Sequence, residues 1–214
     1  MRKYDVINHL HENFLFAVIR GETAEDGLKI SRGAYDGGIK NIEVTFSTPN
    51  IQYVISKLIK QTSNRDDVVI GAGSVFDVTS ARIAILSGAQ FIVSPTLVED
   101  IAKLCNFYDI PYVPGCATPT EIQKALELGC NVIKVFPGNV LSSGFIGAIQ
   151  GPMPQVNMMP TGGVNIDNLQ DWISKGAWAV GIGGSLVSDY KEKGESSVKR
   201  KAEQFSDRFA KIMS

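Results

Sequence analysis

The stretch "CNVIKVFPGN", Cys130 to Asn139, sets a lysine inside a run of valine, isoleucine and phenylalanine that otherwise reads as a buried strand. Lysine is almost never fully buried without a partner, and an isolated ammonium in an apolar medium is costly. Either Lys134 reaches solvent, or the fold keeps it inside for chemistry. The other strand-like runs of the chain decide between these.

Short apolar runs alternate with amphipathic segments, the pattern of βα units and a parallel sheet. The runs are "FLFAVIR", "KNIEVTF", "VVIGAGS", "FIVSP", "PYVPG", "NVIKVFP", "VNMMPTGG" and "WAVGIGG". Helical stretches such as "TAEDGLKISRGAYDG", "TPNIQYVISKLIKQ" and "TPTEIQKALELG" lie between them, and Thr118 reads as an N-cap. Eight such strands predict a (β/α)8 barrel, near the short end of that fold's size range. A doubly wound open sheet is the alternative. No linker or low-complexity segment breaks the chain, so residues 1–214 are expected to form a single barrel domain flanked by an N-terminal and a C-terminal helix.

A weak internal repeat sets the register. Gly38, Gly88, Gly129 and Gly176 each end a helix and precede a strand. Four and six residues later come Ile42 and Val44, Ile92 and Ser94, Ile133 and Val135, Val180 and Ile182. These nearly all β-branched positions suit an outer face packed on helices. Strand side chains alternate in direction, so the fifth positions, Glu43, Val93, Lys134 and Gly181, point into the barrel. By count they belong to strands two, four, six and eight, and alternate strands supply one interior layer in this fold. Glu43 and Lys134 are therefore expected to face each other.

Composition excludes several function classes. With 21 Lys and Arg against 22 Asp and Glu, a net charge of -1 gives no electrostatic reason to bind nucleic acid or a membrane surface. No apolar run approaches the roughly 20 residues needed to span a bilayer, and "MRKYDVINHLHENF" lacks a signal peptide's apolar centre. Three cysteines, Cys105, Cys116 and Cys130, form no CxxC pair and are expected to be reduced thiols in a cytoplasm. Both histidines, His9 and His11, precede the first strand, which argues against a histidine-rich metal site.

A lysine amine attacks a ketone only when deprotonated, so its unperturbed pKa of about 10.4 must fall through desolvation or a neighbouring cation. Val132, Val135 and Phe136 offer the apolar surround, and Arg20 at the end of the first strand is a candidate second cation. The resulting Schiff base is an electron sink for breaking an adjacent carbon–carbon bond, with Glu43 moving protons. The plainer reading is a Lys–Glu ion pair that only fills the barrel. Gly162 and Gly163 in "PTGGVN", and Gly184 and Ser185 in "GIGGS", close the seventh and eighth strands, where this fold often binds phosphate through backbone N–H groups. Ordinary turns are the alternative there. Ser74 in "IGAGSVF" either meets a substrate carboxylate or caps the next helix, Pro95 shapes the rim, and Cys116 has no histidine to activate it.

Taken in order, "NIEVTFSTP", "VIGAGSV", "FIVSP", "VPGCATPTE", "NVIKVFP" and "MPTGGV" resemble the 2-keto-3-deoxy-6-phosphogluconate aldolase family, over about Phe16 to Ser185. The resemblance implies a class I, metal- and cofactor-independent aldolase on a (β/α)8 barrel, assembled as a homotrimer. It would release pyruvate and glyceraldehyde 3-phosphate from a 2-keto-3-deoxy-6-phospho sugar acid; some members also cleave 4-hydroxy-2-oxoglutarate to pyruvate and glyoxylate. On this resemblance Lys134 is the Schiff-base lysine and Glu43 the general acid/base. Ser74 stands beside the pyruvate carboxylate where many members have threonine. Thr161, Pro95 and Phe136 line the pocket, while Gly162, Gly163 and Ser185 hold phosphate. One departure is Ser47, four residues after the glutamate, where many members have arginine. Arg20 in "AVIRG" is the expected replacement, and that combination resembles the 2-keto-3-deoxy-6-phosphogalactonate branch. Two other classes compete with the aldolase. A metal-dependent phosphosugar epimerase or isomerase wants histidines at strand ends, and a non-catalytic phosphate-ligand sensor would have no use for Lys134 and Glu43 together.

Overall fold

Parallel pairing runs through every strand of the computed structural model, which describes residues 2–214. The chain opens with α1 (Lys3–Asn13), β1 (Leu15–Ile19), α2 (Ala24–Asp36), β2 (Asn41–Thr45), α3 (Ile51–Gln61), β3 (Val69–Gly73) and α4 (Val78–Leu86). It continues with β4 (Ile92–Val93), α5 (Glu99–Phe107), β5 (Tyr112–Val113), β6 (Gly115–Cys116), α6 (Pro119–Glu127) and β7 (Ile133–Val135). Next come α7 (Gly138–Leu141), α8 (Gly144–Gln150), β8 (Met158–Pro160), α9 (Leu169–Ser174), β9 (Val180–Ile182) and α10 (Gly184–Val187). Two further helices, α11 (Tyr190–Lys193) and α12 (Glu195–Met213), complete it.

The strands close into a ring. One sheet runs β5-β4-β3-β2-β1-β9 and the other β6-β7-β8. A parallel bridge between Thr161 and Gly181 joins β8 to β9. At the other seam, β5 and β6 are halves of the run "PYVPG", parted at Pro114, which has no N–H to give a ladder. Its carbonyl still accepts from the Lys134 N–H at 2.8 Å. With β5 and β6 as one stave, eight staves and their helices make a (β/α)8 barrel, which rules out the open doubly wound sheet.

Local chemistry explains the connections. Gly38, Gly88, Gly129 and Gly176 have φ of 104°, 97°, 77° and 86°. The N–H of each following residue is donated to the carbonyl five residues back, as Ile39 to Ala34 and Cys130 to Ala125. That is the glycine-terminated helix end, followed directly by a strand. Asp109 takes the same position before β5 with φ 56°, and Ile110 donates to Cys105; a glycine-based repeat does not reveal this fifth copy. Thr23 and Thr118 cap α2 and α6 with reciprocal bonds to Asp26 and Glu121. At α3, Thr48 is not the cap, because its hydroxyl accepts from the Gly21 N–H.

Strand parity sorts the apolar residues into two cores. Ile42, Val44, Ile92, Ile133, Val135, Val180 and Ile182 belong to the large cluster between strands and helices. Phe16, Val69, Phe91, Val93, Val113, Val132, Met159 and Ala179 form a separate cluster inside the ring, closed below by Val6 and Leu10 of α1. Asn41 holds this plug by donating to the Leu10 carbonyl at 2.9 Å and accepting from Asn13 at 3.0 Å. Outside, α12 packs on α2 where Gly37 leaves no room for a side chain: a Cβ there would lie 2.3 Å from the Lys199 carbonyl oxygen. None of the helices described is long and apolar enough to cross a membrane.

Leu10 is fully buried in the plug. Leu10→Ala is expected to destabilise the barrel by about 2–5 kcal/mol, read from the midpoint of a urea unfolding curve with unchanged slope.

Candidate active site

Above the apolar plug the interior turns polar. Glu43 on β2 is fully buried, Lys134 on β7 is 5% exposed, and Lys134 Nζ lies 3.5 Å from Glu43 Oε1. The ammonium also sits 5.2 Å from the centre of the Phe136 ring, within cation–π range. Among the described residues, neither Glu43 oxygen has a hydrogen-bond partner, and neither does Thr161 Oγ1. Buried polar atoms are nearly always paired, so these three single out this end of the barrel as the candidate site. Burial pushes the Glu43 carboxyl above the usual carboxylate range, and the nearby charges of Lys134 and Arg20 only partly offset this.

Phe136, over whose ring Lys134 lies, lines a cavity of about 500 Å³, within the usual range for small-molecule sites, whose wall includes neither Lys134 nor Glu43. Arg20, Phe136 and Thr161 line one part of it; Gly162, Gly163, Gly184 and Ser185 line another. Gly162 and Gly163 have φ of 99° and 77°. Ser185 donates its hydroxyl proton to the Val164 carbonyl at 2.7 Å, tying the two glycine loops together. Asn168 braces the same loop by donating to the Gly163 carbonyl at 2.9 Å. The N–H groups of Gly184 and Ser185 fall in the first turn of α10, which has no acceptor of its own for them. Arg20, exposed at the end of β1, also borders a neighbouring groove of about 700 Å³ with Glu22, Asp26 and Lys191.

The remaining residues singled out from sequence lie at the edges. Ser74, with φ 55°, follows β3 and does not cap α4; Asp77 does, accepting from the Ser80 N–H at 2.8 Å. The carbonyl of Pro95 lies against Gly115 at the rim. Ser47 is exposed and shares a 2.7 Å hydrogen bond with Thr45. Val93 joins the apolar plug, and Gly181 leaves space for Thr161, whose Oγ1 would be 2.3 Å from a Cβ there. Cys105, Cys116 and Cys130 are buried free thiols, each pushed up to about 12 by burial. His11 stacks on Trp178 and hydrogen-bonds its carbonyl beside the plug, away from the cavity. Five wall residues escaped the sequence reading: Val164, Asn165 and Gly183 sit inside the two glycine motifs, Val18 is signalled only by sharing strand parity with Phe16, and Val187 is marked by no motif.

The family model for KDPG and KHG aldolases matches residues 6–200. The chain belongs to the KDPG and KHG aldolase family, and with it to the carbon–carbon lyases. It is 33% identical over 183 residues to the 2-dehydro-3-deoxy-phosphogluconate aldolase of Treponema pallidum, covering 82% of this chain and 86% of that one. It is 30% identical over 191 residues to the 2-dehydro-3-deoxy-6-phosphogalactonate aldolase of Escherichia coli, covering 89% and 90%. Among solved structures, the KDPG aldolase of Legionella pneumophila, holding pyruvate as a covalent carbinolamine, superposes with a TM-score of 0.82 at 28% identity, covering 91% of this chain and 95% of that one.

Because the folded protein holds the Glu43 proton more tightly than the unfolded chain, folding takes up a proton there. Stability from this group is fully present below the unfolded carboxylate value of about 4.3 and is lost as pH rises through the raised folded value. Thermal unfolding between pH 4 and 8 should show that loss, and Glu43→Gln should flatten it. Equal pH dependence in parent and variant would contradict the raised value.

Proposed function

We propose that this lyase is a Schiff-base aldolase that cleaves 2-keto-3-deoxy-6-phosphogluconate to pyruvate and glyceraldehyde 3-phosphate, and also accepts 4-hydroxy-2-oxoglutarate. The observation that carries the reading is the buried Lys134–Glu43 pair, its amine held over the ring of Phe136, which walls a cavity together with two glycine loops. In this scheme the neutral Lys134 amine adds to the C2 ketone, and a proton from the Glu43 carboxyl lets the carbinolamine lose its hydroxyl as water, leaving an iminium and the Glu43 carboxylate. The C3–C4 bond then breaks, its electron pair flowing into the iminium to form an enamine while Glu43 takes the C4 hydroxyl proton and the aldehyde departs. Glu43 returns that proton to C3, and water releases pyruvate. The carbinolamine held by the Legionella enzyme supports the first step.

The phosphate is assigned to the N–H groups of Gly162, Gly163, Gly184 and Ser185, and Arg20 to an anionic end of the substrate, in place of the arginine absent at Ser47. Ser74 meets the pyruvate carboxylate, with Thr161, Pro95 and Phe136 shaping the pocket. Arg20 on the cavity wall also favours a second reading, with the 6-phosphogalactonate epimer as substrate. The homotrimer belongs to the same proposal; exposed Phe76, Leu86 and Phe107 supply apolar surface for it.

Borohydride added with pyruvate should attach pyruvate irreversibly to Lys134, located by peptide mass spectrometry, and Lys134→Ala should abolish it. An unmodified protein would end the Schiff-base reading. Glu43→Gln should lower kcat by about 10²–10⁴-fold. Assays with both sugar-acid epimers and 4-hydroxy-2-oxoglutarate establish substrate choice. In those assays Arg20→Ala should raise KM for the phosphorylated acid about tenfold or more, the loss of one charged hydrogen bond. An unchanged KM would remove Arg20 from the site.

A further inference from the structure

We infer that Gly73, the last residue of β3, is a positioning residue for Glu43: its missing side chain is the space in which the Glu43 carboxylate lies. A Cβ at position 73 would be 2.0 Å from Glu43 Oε1 and 2.6 Å from both Cδ and Cγ, so its three nearest neighbours all belong to one side chain. Thr45, two residues beyond Glu43 on β2, is the register partner of Gly73. The Glu43 side chain therefore reaches along its own strand and lies across the face of the next one.

Backbone conformation does not explain this glycine. The chain reaches positive φ only at the next residue, Ser74, with φ 55°; Gly73 itself lies in extended backbone that any residue adopts. Its ladder bond is ordinary too, its carbonyl accepting from the Phe46 N–H at 2.9 Å. What position 73 cannot hold is volume. Among the described residues Glu43 has no other polar contact than its ion pair with Lys134, 3.5 Å away, so where its carboxylate can lie is set by the shape of the wall beside it. With the wall of β3 cut back by one methyl group, the carboxylate lies flat beside the amine. An alanine there turns it away.

The inference rests on the Schiff-base reading for its catalytic consequence, but not for the placement of Glu43. Gly73→Ala is expected to lower kcat by about 10²-fold with little change in KM. It should also change the limb of the pH–rate profile that Glu43→Gln removes. Combined with Glu43→Gln it should add less than twofold, because both changes act through one group. Independently of activity, the carboxyl of Glu43 in protein labelled with ¹³C-glutamate should titrate at a different midpoint in Gly73→Ala. Should Gly73→Ala fold poorly, Gly73→Ala/Glu43→Ala must recover the folding of Glu43→Ala, since the methyl then has room. An unmoved titration midpoint or, where Gly73→Ala folds poorly, a double variant that folds no better would overturn the inference. If the parent fails to trap pyruvate on Lys134, the aldolase scheme falls, and the titration and the double variant still decide whether Gly73 places Glu43.

Discussion

A closed ring of parallel strands leaves each side chain two directions, outward to the helices or inward to a space shared with seven other staves. That restriction organises the molecule. Outward positions are β-branched and aliphatic, and they bury against the helices as one belt. Inward positions meet in a narrow interior that tolerates no void, so Phe16, Phe91, Met159 and their neighbours fill it from below and α1 seals it. Polar groups enter only at its two ends, Asn41 below against α1 and others above, where the strands end and the loops begin. Glu43 and Lys134 occupy that boundary. Each would be costly there alone, and they face each other as a 3.5 Å ion pair.

The cost of that arrangement shows in the proton affinity of Glu43. Burial opposes its charge more than Lys134 and Arg20 favour it, so the carboxyl gives up its proton at higher pH than an exposed one would. In the proposed scheme Glu43 both takes and returns a proton within one turnover, and that shift serves the proposed role. The same burial acts differently on the three cysteines. Pushed up to about 12, they stay protonated thiols at neutral pH.

Much of this was legible in the chain because it depends on local pattern. The four helix-ending glycines revealed the repeat, and the repeat set the parity that turned Glu43 and Lys134 inward. Asp109 broke the pattern by taking a glycine's conformation, and Pro114 divided a stave that reads as one run. Neither departure altered the ring. The site was legible where a motif carried it, as in "PTGGVN" and "GIGGS", and illegible where a residue's role lies in what surrounds it. Ser74 read equally well as a helix cap until Asp77 was seen to do that work. Val187 and the emptiness at Gly73 have no signature along the chain.

By itself the sequence determined the alternation of strands and helices, the inward direction of Lys134 and Glu43, and the glycine loops that close the last strands. These follow from periodicity and from backbone preferences that act over a few residues. Only the tertiary structure decided that Nζ and Oε1 stand 3.5 Å apart, that Arg20 and not Ser47 borders the cavity, and that Gly73 holds the space for a carboxylate. Those are contacts between distant parts of the chain, and their distances are set by how a closed sheet shares its interior volume.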